Sequence, residues 1–316
     1  MAFDRVPMRW ILVLALLALL APPAAAVPTR VAGTKVSLDP PPGFIPSARF
    51  PGFENSANAA SIIVTELPGP ASDMQKGMTG EALASRGMTL IHSETVKIEG
   101  QPAILLQASQ SAAGTGFVKW MLVAGDAKKT VMIVAAYPEA AKELAMALRA
   151  TLLSASWSGA PRKVNPYEGL MFRVDPTPKL KLAGRVGALL VFSETGSMQP
   201  SNAADAMMVV GNSISDVKID NVETFARVRA SKTTRIGPLR NLQGRAVTAD
   251  RLKGYELVGE TNDLKSGQAL RMYQLVVADD KNYYLAQGFV SPEHAAVMIP
   301  EFRKITGSFR RLHPPK

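Results

Sequence analysis

Two parts of the chain show the same pattern of apolar runs broken by a polar join. Val118 to Ala124 and Thr130 to Tyr137 flank Gly125-Asp126-Ala127-Lys128, and the turn-forming residues between them predict an antiparallel hairpin. Met272 to Ala278 and Tyr283 to Val290 repeat the arrangement around Asp279-Asp280-Lys281-Asn282. After each hairpin the apolar period lengthens. Leu144, Leu148 and Leu152 recur every four residues and line one face of a helix, and Met298, Phe302 and Ile305 form the matching stripe. Pro138 and Pro292 stand where a first-turn proline is tolerated, each followed by a glutamate suited to the positive end of a helix. Pro300 lies inside the second of these helices and is expected to kink or shorten it. Further amphipathic helices are predicted near Asp73 to Arg86 and Asn221 to Lys232, followed by strands around Ala103 to Ser109 and Tyr255 to Thr261.

The parallels come in the same order, and one block keeps a fixed spacing. Trp120 to Lys128 lies against Tyr273 to Lys281 at a constant offset of 153 residues. With one residue inserted, Tyr137-Pro138-Glu139 meets Ser291-Pro292-Glu293, and both units then run through a helical segment to Ser156-Trp157 and Ser308-Phe309. Upstream, Ala60 to Val64 faces Ala206 to Val210, and Glu81 to Ser85 faces Phe225 to Arg229. Each unit opens on a short strand stopped by Asp39-Pro40 or Asp175-Pro176, because proline fixes φ and has no N–H to donate. Four matched blocks in one order predict an α+β protein made of two tandem repeats.

This order of elements resembles the PsbP-like fold, shared by the extrinsic photosystem II subunit, the Ran-binding Mog proteins of nuclear import and bacterial periplasmic proteins. The resemblance rests on the strand pattern, the helix starts at Tyr137-Pro138-Glu139 and Ser291-Pro292-Glu293, and the Ser156-Trp157 and Ser308-Phe309 ends. It spans both repeats. It implies an antiparallel sheet sandwiched by helices in each, and a non-catalytic domain that docks to other proteins. No binding residue of the family carries over.

Arg5 and Arg9, the apolar run Ile11 to Ala21 and the small residues Ala24-Ala25-Ala26 after Pro22-Pro23 read as a signal peptide cleaved after Ala26. The apolar run is too short to span a bilayer, and the absence of cysteine excludes a lipid-anchored signal. The expected divisions are a signal peptide at 1–26, a first domain at 27–158, a linker at 159–166 and a second domain at 167–316. The expected compartment is the bacterial periplasm, with no integral membrane segment after cleavage. The charge is uneven: Val27 to Ser158 carries 11 basic and 10 acidic residues, whereas Gly159 to Lys316 carries 23 and 15.

Few residues carry chemistry. His92, His294 and His313 are far apart in sequence and at no metal-ligand spacing, so no metal or cofactor is expected. No helix pattern follows Gly114-Thr115-Gly116, and Gly184 and Gly187 lack the Lys-Ser or Lys-Thr partner of a phosphate cradle. The carboxylate pair Asp279-Asp280 reads as a turn, and Glu256 with Glu260 as the outward face of a strand. Tyr283 and Phe289 share one face of their hairpin and Tyr284 takes the other, so one set is core and the second is a cross-strand pair or a docking surface.

The strongest candidate is basic. Arg227, Arg229, Lys232, Arg235, Arg240, Arg245, Arg251 and Lys253 crowd one segment with Asp250 as its acid, a patch suited to anionic lipid, lipopolysaccharide or an acidic protein, or else a solvated helix and loop surface. Export and the lack of interleaved aromatics argue against nucleic acid. The leading reading is a non-catalytic accessory or binding protein of the cell envelope with an envelope protein or anionic surface as partner. A small-molecule or lipid carrier is the alternative, and an enzyme ranks third.

Overall fold

The computed structural model describes residues 28–112, 114–157, 164–199, 202 and 205–312. The expected signal peptide, most of the expected linker and His313 lie outside the described residues.

In the first repeat, β1 (Thr29–Arg30) pairs with β2 (Ser37–Leu38). A seven-stranded antiparallel sheet follows from β3 (Ile45–Pro46), β4 (Gly52–Asn55), β5 (Ala60–Pro68), β6 (Met88–Ile98), β7 (Gln101–Ala112), β8 (Thr115–Gly125) and β9 (Lys129–Pro138). Helices α1 (Ala71–Lys76) and α2 (Gly80–Ala84) come between β5 and β6, and α3 (Ala145–Leu153) follows β9. The second repeat contains β10 (Phe172–Arg173), β11 (Lys181–Val186), β12 (Leu189–Ser193), β13 (Met207–Asn212), α4 (Val222–Ser231), β14 (Arg240–Ala249), β15 (Leu252–Asn262), β16 (Ala269–Asp279), β17 (Asn282–Val290), α5 (Ala295–Gly307) and β18 (Arg310–Arg311). The sheet orders correspond: β3-β4-β5-β9-β8-β7-β6 and β11-β12-β13-β17-β16-β15-β14.

Register confirms the duplication residue by residue. Ile63 pairs with Val134, which pairs with Met121 on its other side. In the second repeat Val209 pairs with Gln287, which pairs with Gln274. These are the residues that the fixed sequence offsets match.

Strand alternation sends side chains to two faces, and both are covered. In the first sheet Leu105, Leu122, Ile133 and Tyr137 pack under Leu148 and Leu152 of α3, while Leu106, Met121 and Val123 pack with Leu83 of α2 on the other face. In the second sheet Tyr273, Leu275 and Ala286 meet Met298, Phe302 and Ile305 of α5, and Leu257, Met272 and Val276 meet Ala226 and Ala230 of α4. The protein is two tandem α+β repeats, each an antiparallel sheet between helices. Packing is exchanged between them: Ala135 beneath Leu148 becomes Gly288 beneath Phe302, whose ring stands 2.9 Å from where a Cβ on Gly288 would lie.

One clasp closes both repeats. The Ser154 hydroxyl, at the end of α3, accepts from the Asp39 amide at 2.9 Å, and the Ser308 hydroxyl, at the end of α5, accepts from the Asp175 amide at 2.7 Å. Ser154-Ala155 is therefore the true counterpart of Ser308-Phe309. The sequence match to Ser156-Trp157 is two residues out of step, because a serine can reach the opening strand's Asp-Pro corner only from the last helical turn. Ser156 instead exchanges backbone hydrogen bonds with Ser37.

Other expectations need correction. The helix expected over Asp73 to Arg86 is two, since Gly77 ends α1 and the Thr79 hydroxyl caps α2 by accepting from the Ala82 amide at 3.2 Å. Pro300 does not shorten α5, which runs on to Gly307 with Met298, Ile299, Phe302 and Ile305 buried against the sheet. Tyr283 and Phe289 are not an outer docking surface: α4 covers them, and Phe225 meets Tyr283 edge-on at 4.9 Å between ring centroids.

Among the described residues the repeats touch through polar contacts that include an ion pair of Arg49 with Asp216. Arg30 Nη1 donates to Glu168 at 3.0 Å, the Asn212 amide donates to the Arg49 carbonyl at 3.0 Å, and β11 approaches β5. Arg185 reaches the carbonyls of Pro166 and Glu168, and burial pushes its guanidinium pKa down to about 10. Among the described residues no helix is long and apolar enough to cross a membrane.

Candidate binding cleft

The eight basic residues do not form one surface, because the second sheet divides them. Arg227, Arg229 and Lys232 lie on or just after α4, on one side of the sheet. There Arg227 pairs with Glu223 at 2.9 Å and lies over the Tyr255 ring, while Arg229 lies over Tyr283. Arg235 follows with a positive φ, in a loop whose carbonyl accepts from the Leu264 amide. Arg240 bonds Asn262 at 2.7 Å, and Arg251 sits in the tight turn between β14 and β15. Lys253 is exposed opposite Thr248. Arg240, opposite Glu260, shares the face of Arg245, but of the eight only Arg245 lines the cleft beside α5. The segment read as helix and loop surface contains a ten-residue strand, β14, which has few apolar positions because it lies at the edge.

Arg245 leads to the main polar cluster of the repeat. It is the cross-strand partner of Glu256, and its Nε and Nη2 donate to the two carboxylate oxygens at 2.9 and 3.3 Å. From α5, Arg303 Nε donates at 3.1 and 3.2 Å and its Nη2 at 2.8 Å. The Glu256 side chain is only 5 % exposed, whereas Arg245 is 61 % and Arg303 43 % exposed. Glu256 is thus not on an outward face; α5 covers it. Burial pushes its pKa up, but the hydrogen bonds and charges of Arg303 and Arg245 outweigh this and hold it below the ordinary value. Next to it the Tyr273 hydroxyl shares a 2.8 Å hydrogen bond with Thr306, and burial drives the phenol pKa far up.

A cleft of about 350 Å³ opens beside this cluster, between β14 and α5, lined by Gln243, Arg245, Glu256, Val258, Ile299 and Arg303. Two guanidiniums against one carboxylate leave it net positive. The first repeat has no such chemistry at the matching positions. Leu105 takes the place of Glu256, opposite Leu122 as Glu256 is opposite Leu275, and is fully buried. Glu94 takes the place of Arg245, and Arg149 of α3 donates to it at 2.8 Å. Arg303 was not singled out by sequence reasoning. Its signal was the repeat itself, which sets it over Arg149 when Ser154 is matched to Ser308.

The remaining candidates stay apart. His92 lies on β6, 3.8 Å from Glu94, and His294 stands just before α5 with no capping hydrogen bond from its side chain. Asp279 accepts from Arg311 at 3.3 Å, Asp280 sits in the two-residue hairpin turn, and Glu260 is paired with Arg271. Gly114 and Gly187 occupy turns with positive φ, and Gly184 lies in β11. Among the described residues no three His, Asp or Glu side chains are placed to hold a metal ion.

No family model and no curated protein match the chain. Solved structures show distant likeness. LpqN, involved in cell envelope biogenesis of Mycobacterium tuberculosis, is 14 % identical over 44 % of this chain and 81 % of its own, with a TM-score of 0.32. The type VI secretion immunity protein TplEi from Pseudomonas aeruginosa is 14 % identical over 90 % and 96 %, with a TM-score of 0.31. The Tle4-Tli4 complex matches at 11 % identity over 87 % and 99 %, with a TM-score of 0.33. The fold assignment rests on the chain's own geometry.

Proposed function

We propose that this is a non-catalytic, exported binding protein of the bacterial cell envelope, built from two PsbP-like domains, whose second repeat does the docking. The observation that carries the reading is the exchange of a buried leucine, Leu105, for a glutamate held by two half-exposed arginines beside an open cleft. Burying a carboxylate is costly, and an apolar residue fills the same place in the sister repeat, so stability alone gives no reason for the change. The excess basic charge of the second repeat supports an anionic partner. The carrier reading is less well supported: the apolar cavity between the second sheet and α5, lined by Val210, Leu275, Tyr284 and Phe309, has about 10 Å³ of free space, on the scale of one water.

The test is retention of the full chain, without residues 1–26, on isolated envelope fractions and separately on vesicles containing phosphatidylglycerol. Retention is expected to fall with rising salt and to drop in Arg245→Gln/Glu256→Leu/Arg303→Gln, which restores the leucine of the first repeat and removes both guanidiniums from the cleft. Lys128→Gln, which removes one charge from the first repeat, is the control. Equal retention of wild type and triple variant, or none by the wild type, refutes the reading; the two preparations separate a protein partner from lipid.

A further inference from the structure

The two edges of the second sheet are unequal. β11 is six residues long, is bulged between Leu182 and Gly184, and lies near β5 of the first repeat. β14, at the other edge, runs for ten residues without proline, and among the described residues no strand lies beyond it. Half of an edge strand's N–H and C=O groups face outward and form a template for another chain. Proteins blunt such edges with bulges or inward-pointing charge. In β14 the bulge affects only the stretch between Arg240 and Gln243, and Gln243 to Ala249 pair without interruption with β15. The inward charge is Arg245, whose Nε and Nη2 are occupied by Glu256, leaving Nη1 over; the same holds for Arg303.

The cleft lies where a further strand would put its side chains. Gln243 and Arg245 line it from the sheet and Ile299 and Arg303 from α5. A strand added about 4.8 Å beyond β14 would send alternate side chains toward that opening. β14 carries no acidic residue, and Arg240 at its start and Arg251 in the turn after it extend the positive charge along the same edge. A basic or apolar segment would meet guanidiniums it could not neutralise, whereas a carboxylate would meet free donors. The first sheet's outer edge, β6, offers the opposite case: Glu94 stands where Arg245 does and already occupies Arg149.

The geometry points to β14 as the acceptor of an extended acidic segment of a partner protein, added as an eighth strand with a carboxylate between Arg245 and Arg303. This rests on the reading of the second repeat as the docking unit and names the chemistry of its partner.

The probe is a fluorescent nine-residue peptide alternating glutamate with valine, titrated into the full chain without residues 1–26. Two companions replace its glutamates with lysine or its central valine with proline. Saturable binding is expected for the acidic peptide, at least tenfold weaker for both companions and for Arg245→Gln/Glu256→Leu/Arg303→Gln, a variant that removes the buried carboxylate together with its partners. Hydrogen exchange should slow at 243–249 and not at 88–98. Equal binding of the proline peptide, protection at α4 or β6 instead, an unaffected variant, or no saturable binding each overturns strand addition. If peptide binding fails while envelope retention still depends on the triad, docking stands and strand addition falls. If retention is also indifferent to the triad, both fall.

Discussion

Arg149 and Arg303 occupy the same turn of equivalent helices, five residues before the serines that clasp the two repeats, yet they grip carboxylates on different strands. Arg149 reaches Glu94 on the edge strand, above a buried Leu105; Arg303 reaches past the edge to Glu256 on the next strand inward. The acid stands on the edge strand in the first repeat and one strand inward in the second, where an arginine takes the edge position and the carboxylate takes the place of a core leucine.

Arg303→Ala should destabilise the protein by about 2 kcal/mol, because hydrogen bonds to a charged, buried carboxylate are lost while the charge stays. Arg245→Gln/Glu256→Leu/Arg303→Gln should recover most of that loss, since removing a buried ionic group with its partners is often neutral or stabilising. Urea unfolding of the three proteins measures both changes; a triple variant less stable than Arg303→Ala would contradict the argument.

The same carboxylate sets an acid limit. Its pKa is depressed on folding, so its favourable contribution is complete above the ordinary value of 4.5 and is lost as pH falls through the lower folded value. Melting temperature measured from pH 6 to pH 3 should fall more steeply below about 4.5 in the wild type than in the triple variant. Parallel curves would mean that Glu256 does not titrate as its partners require.

Ser154→Ala and Ser308→Ala should each cost about 1 kcal/mol, because each leaves the Asp39 or Asp175 amide without its hydroxyl acceptor. Ser156→Ala, the position favoured by the sequence match, should cost less, since Ser156 contributes backbone groups to its bridge. Thermal unfolding of the three single variants decides between the alignments.

Arg311→Ala should cost about 3 kcal/mol. Its guanidinium, 9 % exposed, pairs with Asp250 at 2.9 Å and Asp279 at 3.3 Å, binding β18 to two hairpin turns, and truncation takes this guanidinium from both acids while leaving the residue 311 amide on Asp250. Hydrogen exchange at both turns should quicken in the variant; protection unchanged there would show that the turns hold without it.

Much of the architecture was legible because hairpins and helical stripes are local signals. The turn at Asp279 to Asn282 and the stripe of Leu144, Leu148 and Leu152 needed no knowledge of the rest of the chain. β14 was hidden for a physical reason: an edge strand with one face under an ionic cluster has little apolar alternation, and its arginines look like those of a solvated surface. Glu256 was misassigned because parity tells which residues share a face but not which face a helix will cover. Arg303 needed the repeat in its correct register, and two serines near the end of the first unit concealed that register.

The strand order has one more consequence. β9 lies between β5 and β8, and β17 between β13 and β16, so in each unit the last long strand to be synthesised is the one at the centre. Until it arrives, the earlier strands are two separate half-sheets with nothing to join them. A chain that stopped short of Asn282 would therefore lose the keystone of its second unit, however much of the surrounding wall had been built.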